Sequence, residues 1–184
     1  HLSIDTGFAP ADFSRADVDI SIQMGDGNWA GTQGRLLFNN YVQPICGDRF
    51  AASATKLTSV EELARLPLLY SRNRPDDWRA WLKARGEAGT ALASAEMIEF
   101  SNSLLMYQAA MDGVGIALGQ FPILSQDVEL GRLLPVLGPP QAQEAYYAVW
   151  RAGAEPNRKM RQFLSWLEQE VEAAFGAHMR ELNA

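Results

Sequence analysis

The chain has 184 residues, 47% of them hydrophobic, 10% aromatic and 21% charged, with 15 Gly, 9 Pro and one Cys. This excludes collagen-like, disulfide-stapled and charge-driven disordered chains and leaves length for a sizeable core. The 22 acidic and 16 basic residues give a formal net charge of −6, so the chain lacks the clustered positive charge with which a domain grips nucleic-acid phosphates by itself.

No apolar run approaches the roughly 20 residues of a bilayer span, so no membrane contact is expected. The single cysteine, Cys46, leaves no internal disulfide, in keeping with a cytoplasmic setting. Residues 2–6 alternate like a half-buried strand with no leader or cap ahead of them, so the chain is expected to start in mid-domain. A short helix is expected over 10–15, and residues 18–23 alternate with period two as a second strand. Gly25-Asp26-Gly27-Asn28 breaks it as a loop. A long extended stretch follows over 34–45, with Pro44 suited to a sheet edge or a change of direction.

Thr58 and Glu61 have the spacing of a capping box, opening a helix that Pro67 stops. Residues 68–71 are a strand-length apolar run. Pro75-Asp76-Asp77 then supplies caps for a helix to Gly86 with Trp78, Trp81 and Leu82 on one buried face. A strand over 97–100, polar caps at Ser101-Asn102-Ser103, a helix to Asp112, Gly113 and a strand over 114–118 form a unit that returns to one sheet only as a parallel crossover. The fold class is therefore α/β. Pro122 and Gly131 bracket another helix, residues 145–151 are extended, and Met160, Phe163, Leu164, Leu167, Val171 and Phe175 stripe a final helix.

Catalytic chemistry is sparse. His1 and His178 stand near the two ends without a nucleophile beside them, and one Cys with two terminal His gives no zinc-ligand spacing. No metal and no cofactor is expected. Gly113-Val114-Gly115-Ile116-Ala117-Leu118-Gly119 follows a helix and opens a strand, the reverse of a dinucleotide loop. Gly113 reads instead as a helix C-cap and Gly115 as a close backbone approach. What remains is recognition by helix starts and strand ends: Ser101, Asn102 and Ser103 at the positive end of a helix dipole, Thr6-Gly7-Phe8 and Gly25-Asp26 at carboxyl ends of strands. The bland alternatives are plain capping for the first set and a turn cap for Asp26. Arg72 and Arg74 suit a carboxylate's geometry but read more simply as solvated charge. Cys46 reads as a small buried hydrophobe.

The run 17–22 followed by Gly25-Asp26-Gly27, the segment from Leu36-Leu37-Phe38 to Pro44-Ile45-Cys46, Asp77-Trp78-Arg79-Ala80-Trp81-Leu82, Phe100-Ser101-Asn102-Ser103, Ala109 to Gly119 and Phe163-Leu164-Ser165-Trp166-Leu167 stand in an order that resembles the effector-binding domain of LysR-type transcriptional regulators. The nearest branch holds glycine-cleavage activators and beta-lactamase regulators. The resemblance implies a two-lobed, periplasmic-binding-protein-like (type 2) fold with two crossover strands. Lobe I would be residues 1–45 plus 149–184, lacking its first strand and helix, and lobe II residues 46–148. It implies a small effector, such as an amino acid or small carboxylate, bound between the lobes by Thr6, Gly7, Phe8, Gly25, Asp26, Phe100, Ser101, Asn102 and Ser103, with Pro44 and Ile45 flanking at the hinge. It also implies a homodimer or higher homo-oligomer, and DNA contact only through a winged helix-turn-helix that this sequence does not contain. Two other readings share parts of the pattern. A solute-binding protein has the same lobe plan, and a small α/β transferase or hydrolase would use Asp26 with Ser101.

Overall fold

A computed structural model of the chain describes residues 2–7, 9, 11–13, 18–54 and 56–182. In chain order the elements are β1 (Ser21–Gly25), β2 (Thr32–Phe38), β3 (Tyr41–Cys46), α1 (Asp48–Ala54), α2 (Val60–Leu63), β4 (Leu68–Ser71), α3 (Asp77–Ala84) and β5 (Met97–Phe100). They continue as α4 (Ser103–Met111), β6 (Ile116–Phe121), α5 (Ser125–Glu129), β7 (Leu134–Pro135), β8 (Gln141–Ala142), β9 (Ala145–Arg151) and α6 (Arg158–Leu182). The chain divides into an outer unit, drawn from residues 1–40 and 144–184, and a central unit, 41–143. The boundaries fall ahead of β3 and β9, whereas the sequence places them at 45/46 and 148/149. All of β3 is bonded within the central sheet and all of β9 within the outer one, and the chain passes between the units immediately ahead of each.

The outer unit is a three-stranded antiparallel sheet in the order β1-β9-β2. Helix α6 covers one face because its apolar residues recur every three to four positions. Leu164 packs on Ala148 and Trp150, with Met160, Leu167, Leu37 and Ile20 around them. Phe38 stacks on Tyr146 and meets Phe175 edge-on. Arg35 ties β2 to α6 through Glu168 at 2.6 Å. Residues 2–6 form no strand and are exposed, contrary to their alternation. A strand needs a ladder partner, and residues 2–6 pair with no strand of the outer sheet, whose order is β1-β9-β2. The strand expected over 18–23 begins at Ser21 and runs to Gly25. Of the helix expected over 10–15, residues 11–13 are not helical, and the remainder lies outside the described residues.

The central sheet runs β5-β4-β6-β3-β7, with β8 beside β3. Strand β4 is parallel to both β5 and β6, so the β5-α4-β6 passage is the parallel crossover that the sequence requires. Trp78, Trp81 and Leu82 of α3 are buried with Val60, Leu63, Leu68, Ile116 and Leu118, and the Trp78 indole N–H donates to the Leu69 carbonyl at 3.0 Å. Gly115 is required by closeness: a Cβ there would lie 2.6 Å from the Pro67 carbonyl oxygen.

Helices α3, α4 and α5 end alike. The N–H of Gly86, Gly113 and Gly131 closes onto the carbonyl three residues back, and the next N–H reaches the carbonyl five back. All three glycines have φ near +70°, the left-handed Schellman ending that an L side chain resists.

Several local expectations shift. The capping box is Ser59 with Glu62, not Thr58 with Glu61: the Ser59 hydroxyl accepts from the Glu62 N–H at 3.3 Å, while the Glu62 carboxylate accepts from the Thr58 N–H at 2.8 Å. Asp76 stands at the α3 N-cap but makes no capping bond; it pairs with Arg79 instead. Pro122 follows a cis bond in the turn before α5 rather than opening that helix. Pro44 sits inside β3, opposite Leu118 of β6. Its carbonyl accepts from Val136 at 2.9 Å on the outer flank, so the position without an N–H also faces outward, between the stubs β8 and β7. That gap is where a missing donor is tolerated.

Candidate functional site

Strands β4 and β5 end side by side, Ser71 opposite Phe100. The turn after β4 is fastened to the start of α4: the Arg72 N–H donates to the Phe100 carbonyl at 2.8 Å, and the Asn73 side-chain amide donates to the Ser101 carbonyl at 3.0 Å. Asn102 is extended, and its side-chain oxygen accepts from the Leu105 N–H at 3.0 Å. Its amide in turn reaches the Ser101 hydroxyl at 3.4 Å. Phe100, Ser101, Asn102 and Ser103 thus stand together where two parallel strands deliver their carboxyl ends to a helix start, the edge that ligands favour in open α/β sheets.

Behind this corner lies a polar cluster that the sequence does not announce. The Arg74 side chain, only 13% exposed, pairs with Asp77 at 3.0 Å and donates through Nη2 to the Tyr107 hydroxyl at 3.0 Å. Tyr107 in turn donates to Gln120 at 3.4 Å. Arg74 is therefore not the solvated charge that its position suggests. Arg72 is exposed: it grips Glu99 through Nε and Nη2 at 2.8 and 2.7 Å, and with the Tyr70 hydroxyl it holds the Glu99 carboxyl below the usual carboxylate range.

The other expected site residues have these surroundings within their own units. Thr6 and Gly7 are exposed outside any strand, and the Thr6 N–H donates to Asp5 at 2.9 Å. Phe8 lies outside the described residues. Gly25 closes β1, where a Cβ would collide with the Trp29 ring at 2.6 Å. Asp26 accepts from the Asn28 N–H at 2.8 Å, an Asx turn of the kind its sequence suggests. Ile45 is 0% exposed and Pro44 is buried. Both belong to the central unit. Cys46 is fully buried, and burial raises its thiol pKa to about 11. Among the described residues no three His, Cys, Asp or Glu gather as a metal would need, and no helix is long and apolar enough to cross a membrane.

The family described as the LysR substrate binding domain matches residues 1–172, and the chain belongs to it. It is 29% identical over 152 residues to the glycine cleavage system transcriptional activator of Escherichia coli (strain K12), covering 82% of this chain and 49% of that protein. It is 28% identical over 170 residues to the HTH-type transcriptional activator AmpR of Enterobacter cloacae, covering 92% and 57%. The chain spans about half the length of these relatives, which are transcriptional regulators and not enzymes. Among solved structures, the effector domain of AmpR from Pseudomonas aeruginosa superposes with a TM-score of 0.74 at 25% identity, covering 97% of this chain and 81% of that one. The AmpR effector binding domain from Citrobacter freundii gives 0.77 at 23%, covering 94% and 84%. The fold is the type 2 periplasmic-binding-protein-like fold of these domains, and the chain is a LysR-type effector-binding domain.

Proposed function

We propose that this chain senses a small metabolite, an amino acid or small carboxylate, for a bacterial regulator working in the cytoplasm. The effector is engaged at the corner where β4 and β5 end and α4 begins, by Ser101, Asn102, Ser103 and the backbone around Phe100. The occupied domain acts through self-association, and DNA is contacted by a helix-turn-helix elsewhere in the parent protein. The observation that carries this reading is the corner itself. Asn73 and Asn102 hold the Ser101 carbonyl and the first turn of α4 in place, setting the Ser101 and Ser103 hydroxyls and a positive helix end at the strand termini.

Calorimetry against amino acids, small carboxylates and cell-wall fragments tests it. One chemical class is expected to bind, and Ser101→Ala or Ser103→Ala should weaken it about ten-fold, the loss of one hydrogen bond to a charged group. A folded chain silent across the panel, or binding indifferent to both substitutions, would overturn the reading. Sedimentation over the micromolar range tests self-association, and a monomer throughout would remove that part.

A further inference from the structure

The two arginines that follow β4 differ in one telling respect. Arg72 offers its Nε and Nη2 edge to a carboxylate, Glu99, and both donors are satisfied. Arg74 presents the same edge to a neutral hydroxyl: Nη2 donates to Tyr107, while Nε is buried without a partner. A buried guanidinium donor left unsatisfied is costly and calls for an explanation. That edge has the spacing of a carboxylate's two oxygens. We propose that Arg74 is the receptor for an effector carboxylate, which completes the Nε/Nη2 edge beside the Tyr107 hydroxyl in competition with the internal carboxylate of Asp77. The inference rests on the reading of the β4/β5 corner given above and names the ligand group recognised there.

Two features favour competition over simple addition. Asp77 already partly neutralises Arg74, at 3.0 Å on Nη1. The crevice lined by Ser71, Arg74, Asp77, Trp78 and Met106 is too tight for a free solute, so the 72–76 turn must yield as the incoming group enters. Through Asn73, that turn also holds the Ser101 carbonyl. Binding at Arg74 is thereby felt at the start of α4.

Nuclear magnetic resonance of the arginine Nε–H signals, titrated with acetate and then succinate, tests this on the whole chain. The Arg74 signal, assigned by its loss in Arg74→Lys, should shift saturably. Asp77→Asn should tighten the binding roughly five-fold by removing the competing charge, and Tyr107→Phe should weaken it while the chain stays folded. An unmoved Arg74 signal, or equal affinities in the parent and Asp77→Asn, would overturn the proposal. Shifts confined to the Ser101–Ser103 amides would overturn it and leave the corner as the site. An Arg74 shift without movement of those amides would support the receptor and remove the α4 start from the site. Should Asp77→Asn fail to fold, the Tyr107→Phe titration decides: unchanged affinity there also refutes the proposal.

Discussion

The central and outer units reach stability by different routes. In the central unit, local signals and burial agree: three helices end on left-handed glycines, and the α3 face buries Trp78, Trp81 and Leu82 among residues of α2, β4 and β6. Among the described residues the outer unit sets one long helix on a three-stranded sheet, and its cluster around Ala148, Trp150 and Leu164 is closed by the α6 stripe together with Ile20 and Leu37. Distributed determinants tolerate the loss of a single turn, whereas a sheet face covered by one helix does not.

The largest test strikes the distributed core at its bulkiest member. Trp81 is 0% exposed, meets Trp78 edge-on at 5.7 Å and carries Arg85 over its ring at 4.9 Å. Trp81→Ala should cost about 3–5 kcal/mol, read by chemical denaturation. Next, Leu164→Ala should cost about 2–4 kcal/mol, with hydrogen exchange rising in β1, β2 and β9. If exchange rose equally in β4 and β6, the contrast between units would collapse.

The same contrast explains what was legible in the sequence. Residues 68–71, 97–100 and 145–151 are read at their observed bounds because each is a short run of strand-forming residues closed by Pro, polar caps or charge. The α6 stripe is legible because twenty-five residues repeat one period. The strand expected over 2–6 fails because alternation specifies a face but not a partner. The capping box slips by one because Thr58 and Ser59 are both hydroxyl residues, and only the chain's entry angle selects between them. At the site, Asn102 is legible as a cap because its bond is to a near neighbour. Arg74 is not, because Tyr107 lies 33 residues away and no local pattern encodes a contact of that range.

Cys46 extends the comparison to pH. Burial raises its pKa from 9.0 to about 11, so in alkaline solution the native thiol keeps a proton that the unfolded chain loses. Its contribution is complete below pH 9.0 and is lost as pH climbs toward 11, about 1 kcal/mol by pH ~10. Cys46→Ala should remove that alkaline limb from the stability profile. Rapid labelling of the native thiol near neutral pH would show the central core to be looser than its packing implies.

Helix starts provide the finest comparison within the central unit. Asn102→Ala should cost about 1 kcal/mol, and Ser59→Ala about the same or less on the short α2. Glu62→Gln should have the smallest effect and the most distinctive pH signature. The Thr58 N–H and hydroxyl lower the Glu62 carboxyl pKa, so its contribution is present above the ordinary carboxylate range and disappears as pH falls through the lowered native value. Because Glu62 is exposed to solvent, the change is small and screened by salt. Wild type and Glu62→Gln should therefore converge in stability under acid and separate slightly at neutral pH. A constant gap at every pH would mean that Glu62 acts through packing, and the Ser59/Glu62 cap would lose its electrostatic half.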